Sequence, residues 1–301
     1  MNTRCHVVLP GLDTDKAEQV FSLLKKEVAR VEQDLSRFIP DSVISQINNN
    51  AAQKPVLVND EVFEILQTCR KYYDLTEGAF DITLRPLLDF WRNNIPESAD
   101  ENQLNEIINS TGMDKVILDE TENSVTFGHE GIEIDLGGYG KGYALELLNK
   151  SLRKFSVESA FISFGESSIL TRGHHPAGDH WQVGMNDYLN PGSSLHTFKV
   201  RDGSVSTSSN FYVDDRGKLQ NHRHVISPFS GHPVGDFKSV SVCSGSPVLA
   251  EIFSTAFLVS SDEFIHTILQ SEETGLVDAI KADYTSGESV VTRFHNLPVE
   301  S

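Results

Sequence analysis

Ile134-Asp-Leu-Gly-Gly-Tyr-Gly-Lys-Gly-Tyr143 reads as a short β-branched strand that runs into glycines and then opens a helix. Glycines let a backbone approach a ligand closely, and a helix N-terminus offers unpaired N–H groups. Lys141 adds a positive charge, so an anionic group such as a phosphate is a natural occupant. The stretch is not a Walker A loop, because Asp135 stands where the first Gly belongs and Gly142 where Ser or Thr should follow the lysine. It is not a dinucleotide fingerprint either, because Tyr143 occupies the third glycine position after Gly138 and Gly140. A plain glycine-rich turn with a solvent lysine fits the same residues.

Outward from this point the chain alternates little between helix and strand. Val20, Leu24, Val28, Val31 and Leu35 draw one stripe along an amphipathic helix over 15–37. Asn59 or Asp60 can cap a second helix through Tyr73, with Val62, Leu66, Cys69 and Tyr73 on its apolar side. Ser98-Ala-Asp-Glu101 has capping-box spacing ahead of Leu104, Ile107 and Ile108. Helices are also expected over 142–155 and 248–259. β-branched runs predict strands at 115–118, 124–127, 132–136, 160–164, 198–200 and 239–243. The first three lie close together, as an antiparallel meander requires, and 173–194 reads as a long surface loop. Segregated helices and strands favour α+β over a doubly wound sheet.

The 301 residues carry 25 Lys+Arg against 43 Asp+Glu, a net charge of −18. Nucleic acid and anionic membrane surfaces both require a basic footprint, so neither is the expected partner. Cys5, Cys69 and Cys243 are far apart and suggest neither a disulfide framework nor a cysteine–zinc cluster. No run approaches the ~20 apolar residues of a membrane span, and residues 1–10 hold no signal-like apolar stretch. As written, the chain is expected to be cytoplasmic; a removed lipoprotein leader would make it periplasmic or membrane-anchored instead.

Four further stretches carry chemistry. In Gly78-Ala-Phe-Asp-Ile-Thr83, Asp81 and Thr83 share one face if extended, or form a turn with Asx and Thr hydrogen bonds. Ser206-Thr-Ser-Ser-Asn-Phe211 offers hydroxyls to phosphates or a flavin edge, or is a plain loop. His222-Arg-His224 places two imidazoles on one side of a strand, which without a third ligand favours a general base or a structural role over a metal pair. Glu251 and Thr255 are four apart, which on a helix aligns a carboxylate and a hydroxyl, two hard donors suited to Mg²⁺. A helix acid with a buried threonine is the alternative. Neither G-x-S-x-G nor H-E-x-x-H occurs, so a hydrolase triad is unsupported.

Taken in order, these pieces resemble the ApbE family, the FAD:protein FMN transferases. The resemblance runs from Met1-Asn-Thr3 through Leu35-Ser-Arg-Phe-Ile-Pro-Asp-Ser42, Ala79-Phe-Asp-Ile-Thr83, Asp135-Leu-Gly-Gly138 with Lys141-Gly142, and Phe164-Gly165. It continues through Thr207-Ser208, His224-Val-Ile-Ser-Pro-Phe-Ser-Gly231 and Ala250-Glu251 with Thr255. It implies an ApbE-like, T-fold-related α+β fold of antiparallel sheets packed with helices, as one domain over 1–301 or two intimate lobes with the FAD site between them. The implied activity is Mg²⁺-dependent transfer of the FMN half of FAD to a threonine hydroxyl of an acceptor protein, with release of AMP. An FAD pyrophosphatase or a noncatalytic FAD-binding protein is the alternative.

Carried over by position, Met1, Phe38, Ala79, Phe80, Asp81, Thr83, Asp135, Thr207 and Ser208 would bind FAD, with Lys141 beside it. The Gly138 carbonyl, Glu251 and Thr255 would hold Mg²⁺, and His224 would be the base. Asn2 and Glu166 stand where the family has Gly, Phe38 where it has Tyr, Ser209 where it has Gly, and Ser227 and Glu251 where it has Asp.

Overall fold

The computed structural model describes residues 3–94, 99–222, 224–271 and 274–295. In chain order the elements begin with β1 (Cys5–Val8), α1 (Thr14–Leu35), α2 (Val43–Asn50), β2 (Val56–Leu57), α3 (Asp60–Leu75), α4 (Arg85–Asn93) and α5 (Glu101–Ser110). Next come β3 (Val116–Asp119), β4 (Ser124–Phe127), α6 (Gly140–Lys154), β5 (Ala160–Phe164), β6 (Ser168–Arg172), β7 (Trp181–Asn186) and β8 (Ser194–Val200). The chain closes with β9 (Gly203–Ser209), β10 (Phe211–Val213), β11 (Leu219–Asn221), β12 (Lys238–Ser244), α7 (Pro247–Val259), α8 (Asp262–Gln270), β13 (Leu276–Asp283) and β14 (Val290–His295). They form two compact units, the first from the described parts of 1–30, 139–221 and 236–301, the second from those of 31–138 and 222–235. No helix among the described residues is long and apolar enough to cross a membrane.

The first unit is built on a seven-stranded sheet of order β1-β5-β6-β9-β12-β13-β14. Every pairing in it is antiparallel. Because strand side chains alternate between faces, β9 sends Val205 to one face and Ser204, Ser206 and Ser208 to the other. On the Val205 face the β7–β8 hairpin packs Val183, Met185, Phe198 and Val200 against Phe211, Ile280 and Tyr284. On the serine face lies α7, whose Ile252, Phe253, Ala256 and Phe257 are fully buried, with α6 against it. The α6–α7 contact depends on Gly142, where a Cβ would lie 2.6 Å from the Pro247 carbonyl oxygen and 2.9 Å from Glu251 Cβ.

The second unit carries a three-stranded antiparallel sheet of order β2-β4-β3. Beside it, Leu87, Phe90, Trp91, Leu104 and Ile226 form one apolar cluster. Trp91 Nε1 donates to the Gly231 carbonyl at 2.6 Å, which fastens the 224–231 segment. Gly231 has φ 69°, and a Cβ there would meet Ile108 Cδ1 at 2.4 Å.

Several expectations are corrected. Residues 132–136 are not a strand: Glu133 makes a single parallel bridge with Leu84. Ile134 is instead held by the Asn48 side chain, which donates to its carbonyl and accepts from its N–H, both at 2.9 Å. The third strand of the meander is therefore β2. The presumed loop at 173–194 contains β7, whose buried positions alternate from Trp181 through Val183 to Met185. The 206–211 run is largely strand β9 in the sheet interior. His222 and His224 follow β11 and lie outside any strand. Asp100, rather than Ser98, caps α5, accepting from the N–H groups of Asn102 and Gln103; Ser98 lies outside the described residues.

Candidate active site

In the first unit the site grows from two helices and two strands. Tyr139 precedes α6 without a side-chain cap for its first N–H groups, and Lys141 sits in its first turn. Ser246 caps α7 by accepting from Leu249 N–H, with Pro247 opening the helix, which sets Glu251 over the serine face of the sheet. Glu251 is 3% exposed. Its Oε1 takes an ion pair from Lys141 Nζ. Its Oε2 accepts from Ser168 Oγ on β6 at 2.6 Å and from Ser206 Oγ on β9 at 2.7 Å.

From Ser206 the hydroxyls continue as a chain. Ser254 Oγ donates to Ser206 Oγ at 3.4 Å, Ser208 Oγ and Ser254 Oγ are hydrogen-bonded at 2.9 Å, and Ser208 Oγ lies 3.3 Å from Thr255 Oγ1. Thr255 Oγ1 also donates to the Glu251 carbonyl at 3.2 Å. Lys141, Glu251, Thr255 and Ser208 are thus brought together. Thr207 is not: it points to the opposite face, where its hydroxyl pairs with Ser241 at 2.7 Å.

Ser168, Ser206 and Ser254 were not singled out individually by sequence. Alternation along β9 could have grouped Ser206 with Ser208, whereas nothing in the sequence marks Ser168. Hydroxyl and carboxylate oxygens are hard donors that fit Mg²⁺. No group of three or more His, Cys, Asp or Glu gathers to hold a metal among the described residues, so the fit rests on oxygen chemistry around one carboxylate.

In the second unit, Asp81 Oδ1 accepts from the Thr83 N–H at 2.8 Å and its hydroxyl at 2.7 Å. Thr83 Oγ1 in turn accepts from Gly112 N–H at 2.7 Å. Burial pushes the Asp81 carboxyl up to about 6, against the opposing Thr83 hydrogen bonds. Burial, with the Asp81 and Asp114 charges, pushes the Tyr73 hydroxyl up to about 12. Ala79 and Phe80 are buried at 4% and 2% exposure, so their side chains belong to the core of this unit.

Asp135 accepts from Arg37 Nε at 2.6 Å and from Gly137 N–H at 2.9 Å. The same guanidinium lies 3.9 Å from the Phe38 ring centroid, and Phe38 is 75% exposed. The His222 and His224 rings meet edge-on at 4.3 Å. Gly138 immediately precedes Tyr139, and Met1 lies outside the described residues. Glu166 adopts φ 62°, a left-handed conformation that glycine takes at no steric cost.

Comparison with known proteins bears on the family and the fold. The family model described as the ApbE family matches residues 1–280. An FAD:protein FMN transferase of Klebsiella pneumoniae (strain 342) is 29% identical over 252 residues, spanning 81% of this chain and 75% of that protein. The FAD:protein FMN transferase of Escherichia coli (strain K12) is 23% identical over 283 residues, spanning 90% and 80%. The solved flavin transferase ApbE from Vibrio cholerae shares the fold with TM-score 0.82 at 20% identity, over 98% of this chain and 95% of that one. A Thermotoga maritima ApbE structure does so with TM-score 0.79 at 23% identity, over 97% and 93%. With the family's own pattern running through 280 residues and its fold shared nearly end to end, this chain belongs to the ApbE family.

Proposed function

We propose that this chain transfers the FMN half of FAD to a threonine hydroxyl of an acceptor protein, releasing AMP, with Mg²⁺ as cofactor. The observation that carries the reading is the Glu251 cluster: a buried carboxylate held by two serines, a lysine at a helix N-terminus and Thr255 joined through hydroxyls, in a chain of this family. Glu251 and Thr255 are the residues that would hold Mg²⁺, and the ion when bound neutralises charge on the nonbridging phosphate oxygens. Lys141 and the uncapped N–H groups of α6 favour the anionic pyrophosphate electrostatically.

In the transfer the threonine oxygen bonds to the FMN phosphorus as the bond from that phosphorus to the AMP oxygen breaks, and the hydroxyl proton passes to a base. His224 is proposed as that base, since an imidazole suits proton acceptance from a hydroxyl near neutral pH. Among the residues of the second unit, Phe38, Asp81 and Asp135 are proposed to contact FAD.

The test is direct. Incubation with FAD, Mg²⁺ and a flavin-acceptor domain should give a fluorescent acceptor band in a denaturing gel, together with AMP. FAD left intact with no labelled band would refute the transfer. AMP without labelling would establish hydrolysis in its place.

A further inference from the structure

We infer that Lys141 is a resident cation that holds Glu251 until a divalent cation displaces it, so that metal entry and release of the lysine are one exchange. The inference rests on the Mg²⁺-dependent reading above and concerns the order in which the site is charged.

The two carboxylate oxygens of Glu251 are treated differently. Oε2 takes two hydroxyl donors, Ser168 at 2.6 Å and Ser206 at 2.7 Å, from adjacent strands of a rigid sheet. Oε1 takes the Lys141 ammonium. The serines fix the orientation of the carboxylate and leave Oε1 as the position where a cation sits. Exposure differs in the same sense: the Glu251 side chain is 4% exposed and that of Lys141 27%. The lysine can withdraw into water on its flexible stem, whereas the carboxylate cannot follow. A buried carboxylate left without a cation is strongly unfavourable, so one cation must replace another.

Lys141 also occupies the first turn of α6, where the helix dipole disfavours positive charge. The Glu251 carboxylate therefore holds the ammonium against that field, and a divalent oxygen-seeking ion is the better competitor for Oε1. Thr255 is reached from Oε2 through Ser206, Ser254 and Ser208. Those hydroxyls can rotate from donating to presenting lone pairs as the charge beside them changes.

Before exchange, Glu251 and Lys141 sum to zero. After it, the same groups with Mg²⁺ sum to +2, and the ammonium is free at the mouth of the site. An anionic substrate thus meets the α6 N-terminus alone before exchange and the full +2 only once the metal is in place, which makes metal binding the first step.

The experiment uses the full chain with Mg²⁺ alone, by isothermal titration calorimetry at fixed pH and ionic strength, on wild type, Lys141→Gln and Glu251→Gln. Removing the competing ammonium should tighten Mg²⁺ binding by about tenfold or more, and Glu251→Gln should weaken it by at least as much. A measurement on wild type guards against a misfolded Lys141→Gln. An amine-acetylating reagent, read by mass spectrometry, should modify Lys141 several-fold faster with Mg²⁺ than without. Lys150, 61% exposed and paired with Glu146, should not change.

If Lys141→Gln binds Mg²⁺ no more tightly and Lys141 labelling ignores Mg²⁺, the exchange is refuted while Glu251-dependent metal binding stands. If wild type and Lys141→Gln both bind no Mg²⁺ in a Glu251-dependent manner, the exchange and the metal reading fall together.

Discussion

Replacing Gly142 with Ala tests whether the glycine-rich run serves packing as well as ligand access. The added Cβ would lie 2.6 Å from the Pro247 carbonyl oxygen, 2.9 Å from Glu251 Cβ and 3.0 Å from Val248 Cα. Two of these are backbone atoms of the first turn of α7 and the third is fixed to the α7 backbone, so no rotamer change relieves the contact. The helices must separate by roughly 0.5–1 Å, an overpacking cost of about 1–3 kcal/mol. Against it stands the helix-propensity gain of Ala over Gly, about 0.8–1 kcal/mol. The balance is a loss of up to about 2 kcal/mol relative to wild type, and of about 1–3 kcal/mol relative to an alanine in the same helix end without the clash.

Gly140→Ala supplies the control. It adds the same methyl at the same helix end, where nothing among the described residues lies within 4 Å, so it should be neutral or stabilising. Urea denaturation of the two variants, followed by circular dichroism and tryptophan fluorescence, should separate their midpoints. Because the displaced atom belongs to Glu251, Gly142→Ala should also weaken Mg²⁺ binding. Equal stability of the two variants would refute the close α6–α7 contact as the reason for Gly142.

Three other outcomes are expected. In metal-free buffer Lys141→Met should cost more stability than Glu251→Gln, about 2–3 against about 1 kcal/mol, because the first leaves a buried charge alone and the second leaves a lysine that reaches water; equal losses in thermal unfolding would contradict this. Asp81 is raised from 3.8 to about 6 in the folded protein, so the native state holds that proton more tightly than the unfolded one. Stability from this group is full below about pH 4 and is lost as pH rises through about 6, at most about 3 kcal/mol. Asp81→Asn should therefore gain stability relative to wild type at pH 7.5 but not at pH 3.5, measured by urea midpoints. Gly231→Ala, at φ 69° and with its Cβ against Ile108 Cδ1 at 2.4 Å, should destabilise by about 2–3 kcal/mol and shift the fluorescence of Trp91, which donates to the Gly231 carbonyl.

What the sequence reveals follows where the apolar residues go. The α1 stripe, α6 and α7 are legible to within a residue or two, because each buries a continuous apolar face. Strand β9 is not, because its inward faces carry serines and a threonine that satisfy Glu251, Ser241 and one another rather than an oily layer. The 132–136 segment fails for the opposite reason. Its composition is that of a strand, but its backbone partners are the Asn48 amide, the Ile82 carbonyl and one parallel bridge, and long-range side-chain pairing leaves no periodic signal. In β7 the alternation of Trp181, Val183 and Met185 is present, but the polar and glycine-rich residues flanking it read as loop. At the site, helical spacing aligned Glu251 with Thr255, while the choice between Thr207 and Ser208 required knowing that 207 and 208 lie in a strand and so face opposite ways.

The net charge of −18 bears differently on the site once its acids are placed. A strongly acidic chain would repel an anionic dinucleotide if the acids near its binding groups were bare. They are not: Asp135 is covered by Arg37 and the Gly137 N–H, Glu251 by Lys141 and two serines, and Asp81 by the Thr83 N–H and hydroxyl. The glycine-rich run likewise divides its labour, with Gly137 binding Asp135, Gly142 admitting α7 and Gly140 left open at the α6 N-terminus. Surplus acidity elsewhere acts at longer range and is screened within about 8 Å at physiological ionic strength. Local neutralisation, rather than overall charge, therefore governs anion binding, and under the proposed function metal loading at Glu251 would set its sign.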